Sequence, residues 1–350
     1  MSNAPEMSPE IGDSSLSAYA DIFGVAGLIT HAKIHKILIL CLLQFRFCGA
    51  RITWFVSRTP FFTHNILEVY LLEFLSMLLS ILDTEMEVPL PYSPFHIFFV
   101  IASVWAGFLI SGHAGGDGSF IRRFLLVTSL LIIVLEIYKQ INYSFRVEGG
   151  RILFDYQWHA FPFQFCSTPM YIALIATVTK SEALHRRLCA YLASYSLFAG
   201  ISVMAYPVSV FTDTVGINIQ TMVWHGGMIT MGIVLLRTGY VRASLRTVLE
   251  AFPIFLTLVA AAAMMNELAH QTGLLATDTF NMFFISPYCA PSLPVYSLIQ
   301  PHVPFPVSVL IYIAGFTAAA ELVLMITTLP HVHVAHRAIH IPTWRLAHGK

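Results

Sequence analysis

A cysteine and a histidine in apolar surroundings are the residues of this chain whose types best suit chemistry. Cys166 lies in the segment FPFQFCS at 161–167, and His225 lies in the segment TMVWHGG at 221–227. A thiol becomes a nucleophile when a base or the positive end of a helix favours its thiolate, and an imidazole is the commonest such base. The two residues therefore predict covalent catalysis if the fold brings them together. Taken singly, Cys166 also fits a buried packing residue, and His225 fits a packing or channel-lining group.

The composition indicates the environment in which these residues act. Of the 350 residues, 57% are hydrophobic and 11% are charged, and the mean hydropathy is +0.72. Such a chain cannot cover a soluble globule with a hydrated surface, so we expect a multi-spanning membrane protein. The formal net charge is zero, which offers no basic field, and we expect no nucleic-acid partner.

Apolar runs of about 20 residues, the length that crosses a hydrocarbon core, organise the chain. We predict an all-α membrane protein with a bundle of about seven transmembrane helices and one or two additional N-terminal helices. The seven runs are 94–113, 122–142, 160–179, 187–206, 219–238, 250–270 and 307–329. Upstream, 64–82 resembles a further crossing that contains Glu68 and Glu73, and 34–56 is interpreted as an interfacial or partly inserted amphipathic helix.

These runs divide the chain into four regions. We expect a disordered N-terminal tail at 1–21, an N-terminal extension at 22–91, a seven-helix catalytic domain at 92–330 and a cytosolic His-rich tail at 331–350. The orientation follows from positive charge, because Lys and Arg near helix ends are retained on the cytoplasmic side. Eleven Lys and Arg residues follow the first, third, fifth and seventh runs, whereas the opposite loops contain only Arg146 and Arg151.

Polar residues collect at one level of the predicted bundle. The thiol and the imidazole each lie several residues inside a span that starts at the non-cytoplasmic face, roughly 10 Å below that face. His96, Glu136 and Asn266 fall at the same level of their own spans. Polar groups are costly in hydrocarbon unless they face the bundle interior, so this layer predicts one polar pocket that opens to that face. Glu136 also fits a simple ion-pair partner of Lys139.

Further residues near the pair suit supporting roles. Gln164 and Ser167 are three residues apart and share one face of the predicted helix beside Cys166. Asn266 and Asn281 are candidates for orienting the imidazole or holding a carbonyl oxyanion, although asparagine at a helix end often only satisfies backbone groups. The expected substrate-binding or supporting residues are His96, Glu136, Gln164, Ser167, Trp224, Asn266 and Asn281.

The sequence predicts neither a metal site nor a cofactor. The five cysteines are scattered without paired spacing. The histidines of the 331–350 tail have no acid or cysteine beside them that would complete a metal site. The GGDG segment at 115–118 lacks the strand and helix that a phosphate-binding loop requires. We therefore expect the chemistry to rely on side chains alone.

Four motifs, taken in order, resemble a known membrane family. They are SPFH at 93–96, a proline four residues before Cys166, a later span with His225 near its start, and NMFF at 281–284. Over residues 92–330 they are similar to the YwaF-like membrane family that includes transmembrane protein 164. The resemblance implies a bundle of about seven helices and an acyltransferase that moves a polyunsaturated acyl chain between phospholipids to form ether-linked phosphatidylethanolamine. It also implies that Cys166 and His225 are the catalytic cysteine and histidine.

The residues and the resemblance together give one expected function and two alternatives. We expect a thioester on Cys166, phospholipid and lysophospholipid substrates within the membrane lipids, no identifiable protein partner, and a location in the endoplasmic reticulum or another endomembrane. The first alternative is a lipid esterase that uses the same pair with water as the acceptor. The second is a non-enzymatic seven-helix receptor or transporter, although we find no repeat of the kind that alternating access uses.

Overall fold

The computed structural model describes residues 82–114, 118–148, 151–273, 279–290 and 292–328. The predicted tails at 1–21 and 331–350, the predicted helix at 34–56 and nearly all of the predicted crossing at 64–82 lie outside these residues. The chain divides into two compact units, one formed by 1–85 with 147–153 and the other by 86–146 with 154–350. All of the helices described below belong to the second unit.

Helices dominate the described part of the chain. In order they are α1 (Pro94–Ala114), α2 (Gly118–Asn142), α3 (Thr168–Val178), α4 (Glu182–Tyr191), α5 (Leu197–Ala205), α6 (Val215–Arg237), α7 (Leu245–Thr272), α8 (Tyr296–Ile299) and α9 (Phe305–Thr328). A π-helical turn, Leu192–Ser196, joins α4 to α5. Strands β1 (Phe145–Glu148) and β2 (Arg151–Phe154) pair between α2 and α3. Short 3₁₀ turns occur at Trp158–Ala160, Pro207–Ser209, Met282–Phe284 and Gln300–His302.

Five described segments are long and apolar enough to cross a membrane. They are α1, the continuous helix Glu182–Ala205 that contains α4 and α5, and the helices α6, α7 and α9. The protein is therefore a mostly helical, multi-pass membrane protein, as its composition predicts. Among the described residues, fewer helices than the predicted seven or so are both long enough and apolar enough to span a membrane. One of the two remaining runs forms α2, which has 25 residues but contains four charged side chains.

The other remaining run, 160–179, is helical only from Thr168 onward. Residues 161–167 form turns, in which the Phe163 N–H donates to the Phe161 carbonyl at 2.7 Å and the Ser167 N–H donates to the Gln164 carbonyl at 2.8 Å. The reason is Pro169, which is tolerated in the first turn of a helix but would break a helix that began earlier. Cys166 consequently lies just before α3, and the prediction that it sits inside a helix is wrong.

Helix α6 lies at the centre of the bundle, where most of its residues are buried. It packs against α1, α2 and α5. Two glycines allow this close approach: a Cβ on Gly226 would lie 2.9 Å from the Ser103 Cβ of α1, and a Cβ on Gly200 of α5 would lie 2.9 Å from the His225 carbonyl oxygen. Gly226 therefore permits the close packing of α1 on α6.

The outer helices expose large apolar side chains rather than polar ones. Phe98, Ile101 and Trp105 on α1 are exposed, as are Leu310 and Leu322 on α9. A soluble monomer rarely carries apolar patches of this extent, whereas lipid tails accept them without cost. These faces are accordingly the lipid-facing surfaces of the bundle.

Candidate active site

Cys166 opens onto an apolar cavity of about 530 Å³. The walls come from α5, α9, the turns before α3 and the segment 293–299, and they are mainly aromatic and aliphatic. Cys166 is half-buried, and its neighbour Ser167 is buried. The following helix α3 directs its positive N-terminal end toward this segment, an arrangement that stabilises negative charge. A thiol thus faces a space of the size and polarity that binds an apolar ligand.

His225 on α6 has one ring nitrogen engaged and the other unpaired. Its Nδ1 lies 2.7 Å from the Thr221 carbonyl oxygen one turn earlier on the same helix. A carbonyl can only accept, so Nδ1 carries the proton and Nε2 presents a lone pair. Nε2 is buried and has no hydrogen-bond partner among the described residues. This is the tautomer that a general base requires.

Trp224 connects the helix of His225 to the segment of Cys166. The indole N–H of Trp224 donates to the Cys166 carbonyl oxygen at 2.8 Å, which places the two segments at one level of the bundle. His225 is not one of the residues that line the cavity, and its Nε2 makes no hydrogen bond to the Cys166 thiol. The structure therefore brings the two segments into contact, but the Cys166 thiol and the His225 imidazole are not hydrogen-bonded to each other.

A buried ion pair lies beside both candidate groups. Lys139 Nζ is 2.9 Å from Glu136 Oε1, as the simpler interpretation of Glu136 predicts. Glu136 Oε1 also accepts from the Gln140 side chain at 2.7 Å, whereas Oε2 is buried without a partner in the described ranges. Lys139 sits over the ring of Trp224, the residue that precedes His225 and bonds to the Cys166 carbonyl, with Nζ 5.7 Å from the ring centroid.

Three amide side chains hold the loop 281–286 against the site. Gln164 donates to the Asn281 carbonyl at 3.0 Å and accepts from the Phe283 N–H at 3.1 Å. Asn266 makes two bonds to the backbone of Met282, at 3.0 and 2.8 Å, and the Asn281 side chain accepts from the Ser286 N–H at 2.8 Å. Two consecutive loop residues, Phe283 and Phe284, have positive φ angles of 58° and 57°.

Non-glycine residues in this conformation are strained, and such strain is concentrated at functional sites. Phe284 lines the cavity. Phe283 is fully buried and packs edge-on against Phe165, with ring centroids 5.6 Å apart. The hydrogen bonds of the three amide side chains thus hold a strained aromatic loop against Phe165, the residue that precedes Cys166.

The comparison with family models decides the relationship of this chain to known proteins. The model of the TMEM164 family matches residues 91–328, about two thirds of the chain. The chain belongs to the TMEM164 family. A search of curated proteins and a search of solved structures each gave no match. The match to the TMEM164 family includes every residue of the cavity wall, together with Cys166, His225 and the Glu136–Lys139 pair.

Not every polar residue of the TMEM164-matching region is available for chemistry. His96 is fully buried, and both of its ring nitrogens are engaged: Nδ1 accepts from the Tyr92 N–H at 3.0 Å, and Nε2 donates to the Met204 carbonyl at 2.9 Å. It therefore joins the start of α1 to the end of α5. Among the described residues, no group of three His, Cys, Asp or Glu side chains is arranged to hold a metal ion.

Sequence reasoning did not assign roles to several residues of this region. Gln140, one turn after Glu136, donates to Glu136 and to the Ala160 carbonyl and accepts from the Tyr156 hydroxyl at 2.6 Å. Burial, with the charge of Glu136, raises the pKa of Tyr156 to about 12, so this hydroxyl remains a donor at physiological pH. The spacing of Glu136, Lys139 and Gln140 on one helical face is the signal that indicates this network in the sequence.

Proposed function

We propose that the protein is a membrane-embedded acyltransferase that uses Cys166 as its nucleophile and His225 as its general base. The observation that carries the proposal is the Cys166 residue at the wall of an apolar cavity, held against a helix whose histidine has a buried Nε2 with no partner among the described residues. An apolar cavity inside a membrane protein suits an acyl chain. The covalent chemistry follows from the nucleophile and the base.

The proposed reaction proceeds in two half-reactions. His225 Nε2 removes the proton of the Cys166 thiol, and the thiolate attacks the ester carbonyl of a donor phospholipid. The acyl C–O bond then breaks, the lysophospholipid leaves with the proton from His225, and the acyl chain remains on sulfur as a thioester. In the second half-reaction His225 deprotonates the hydroxyl of an acceptor lysophospholipid, whose oxygen attacks the thioester carbonyl. The C–S bond breaks and the thiol is restored.

Two contacts support this mechanism. The bond between Trp224 and the Cys166 carbonyl holds α6 against the Cys166 segment, and the bond from Nδ1–H to Thr221 fixes the neutral tautomer whose lone pair is on Nε2. Because Nε2 has no partner among the described residues, its approach to the thiol breaks no hydrogen bond of Nε2 with them. Catalytic hydrogen bonds often shorten only when substrate binds. We therefore propose that lipid binding closes the gap between sulfur and ring.

The resemblance described above suggests the lipids involved. We propose that the donor is a phospholipid with a polyunsaturated acyl chain and that the acceptor is an ether-linked lysophosphatidylethanolamine. The apolar wall around Cys166 excludes water from the thioester, which favours transfer over hydrolysis. We further propose an endomembrane location with a cytosolic C-terminus.

The test uses the full-length protein in lipid vesicles that contain a phospholipid with a deuterated polyunsaturated acyl chain and an ether-linked lysophosphatidylethanolamine. Mass spectrometry should find the deuterated chain on the ether lipid with the wild type and with the matched control Cys289→Ala. Cys289 is a suitable control because its thiol bonds to the Phe280 carbonyl and does not line the cavity. Cys166→Ala should reduce transfer to background. His225→Gln should reduce it about 10²- to 10⁴-fold.

Other outcomes separate the alternatives. Deuterated free fatty acid without acylated acceptor would identify an esterase. Undiminished transfer by Cys166→Ala would overturn the covalent mechanism. A folded wild type that neither transfers nor hydrolyses any ester would favour the non-enzymatic class.

A further inference from the structure

A second residue with a polar side chain lies on the wall of the same cavity as Cys166. Tyr312 on α9 lines the cavity, and its side chain is 2% exposed. Its hydroxyl is buried and has no hydrogen-bond partner in the part of the chain that the structure describes. A buried hydroxyl in this state is uncommon, because native proteins satisfy nearly all such groups or retain the exceptions for a role.

The other hydroxyl groups on the cavity wall are satisfied. The Tyr296 hydroxyl donates to Ser308 Oγ at 3.2 Å, and the Ser202 hydroxyl donates to the Phe198 carbonyl at 2.9 Å. Of the three hydroxyl groups on this wall, that of Tyr312 is therefore the one without a hydrogen-bond partner among the described residues. Cys166 lies on the wall of the same cavity.

Packing fixes the position of the Tyr312 ring. Phe316, one turn later on α9, stacks on it with centroids 4.0 Å apart and planes at 25°. Tyr296 meets it edge-on at 5.6 Å, and Phe255 stacks at 6.4 Å. A ring held on several sides cannot swing away, so its O–H is positioned before any ligand arrives. Donors held in place in this manner are the ones that stabilise developing negative charge.

We propose that Tyr312 is a catalytic residue whose O–H donates a hydrogen bond to the acyl carbonyl oxygen when Cys166 attacks. This inference rests on the proposed function and adds the oxyanion donor that it lacks. As sulfur bonds to the carbonyl carbon, the π electrons of the C=O bond move to oxygen, and Tyr312 stabilises that oxyanion while keeping its own proton. The leaving alkoxide takes its proton from His225.

Two lipid probes separate this role from a structural one. An activated fatty-acyl ester acylates a thiol through a tetrahedral oxyanion, whereas a fatty-acyl iodoacetamide alkylates it by direct displacement at carbon, with no oxyanion. The full-length protein in detergent is exposed to each probe, and intact-mass spectrometry follows the modification of Cys166. Cys166→Ala corrects for reaction at other thiols.

Tyr312→Phe removes only the hydroxyl and preserves the ring stack. It should slow acylation about 10²- to 10³-fold, the usual effect of removing one oxyanion donor, and leave alkylation within about twofold. Tyr240→Phe, which removes a tyrosine hydroxyl that bonds to His185 away from the cavity wall, should leave both rates nearly unchanged. Equal slowing of both probes by Tyr312→Phe, or no slowing of either, would overturn the proposal.

This experiment remains informative if the proposed function fails. A wild type that transfers no acyl chain between lipids refutes acyl transfer, yet the acylation rate of Cys166 still reports whether Tyr312 stabilises an oxyanion. Conversely, vesicle transfer that depends on Cys166 but not on the Tyr312 hydroxyl supports the function and overturns this role.

Discussion

The position of His225 depends on the absence of a side chain at Gly200, and this dependence gives a sharp prediction. A Cβ at Gly200 would lie 2.9 Å from the His225 carbonyl oxygen, 3.0 Å from the Met228 Cβ and 3.2 Å from the Ile229 Cγ1. Ordinary contacts begin at 3.4 Å. Because the nearest of these atoms belongs to the backbone, no side-chain rotation relieves the clash. Gly200→Ala must move α5 away from α6 by about 0.5 Å, the difference between 2.9 and 3.4 Å.

The magnitude follows from this displacement. Overpacking of a core costs about 1–3 kcal/mol, so the thermal midpoint of the protein in detergent should fall by several degrees. A catalytic group misplaced by about 1 Å loses about 10² in rate. A shift of half that size at His225 should therefore reduce acyl transfer roughly tenfold.

Gly227→Ala is the matched control, because its Cβ would meet Ile132 at 3.6 Å, an ordinary contact, although it lies only two residues from His225. Differential scanning fluorimetry and the deuterated-lipid assay measure both variants. If Gly200→Ala keeps the wild-type midpoint and rate, or if Gly227→Ala is equally damaged, the inferred packing of α5 on α6 is refuted.

Three further perturbations test the contacts around the site. Trp224→Phe removes the donor to the Cys166 carbonyl, and it should cost about 1–3 kcal/mol and lower acyl transfer, as measured by denaturation and the lipid assay. Asn266→Leu leaves the Met282 N–H without its partner and removes one of the two donors to the Met282 carbonyl, so hydrogen exchange in 281–286 should accelerate markedly; unchanged protection would contradict the clamp. His96→Leu should lower the thermal midpoint while the folded protein still acylates Cys166 at a near-normal rate, because both ring nitrogens of His96 serve packing.

Much of the fold is predictable from apolar run length. Four of the predicted runs correspond to α1, α6, α7 and α9, and a fifth corresponds to most of the Glu182–Ala205 helix. Run length fails at 160–179, because hydropathy does not register where a helix begins. Pro169 contains that information, whereas the predicted apolar run begins at 160.

The candidate site is only partly predictable for a related reason. Gln164 and Asn266 are recognisable as polar residues in apolar stretches, but their partners are backbone groups of the 281–286 loop, which no periodicity specifies. Tyr312 is not recognisable at all, because a tyrosine in an apolar helix is ordinary. Only the structure shows that it lies on the cavity wall and that its buried hydroxyl has no partner among the described residues.

The non-helical segment 161–167 before α3 explains why polar residues collect around Cys166. Irregular backbone at membrane depth must find protein partners for its N–H and C=O groups, because lipid supplies none. Trp224 and Tyr171 donate to the carbonyls of Cys166 and Pro162, at 2.8 and 2.9 Å, and Gln164 ties the segment to 281–283. The same bonds fix the thiol at the cavity wall. Removing one of them should therefore lower stability and acylation of Cys166 together, whereas removing the Tyr312 hydroxyl, which satisfies no backbone group, should lower acylation alone.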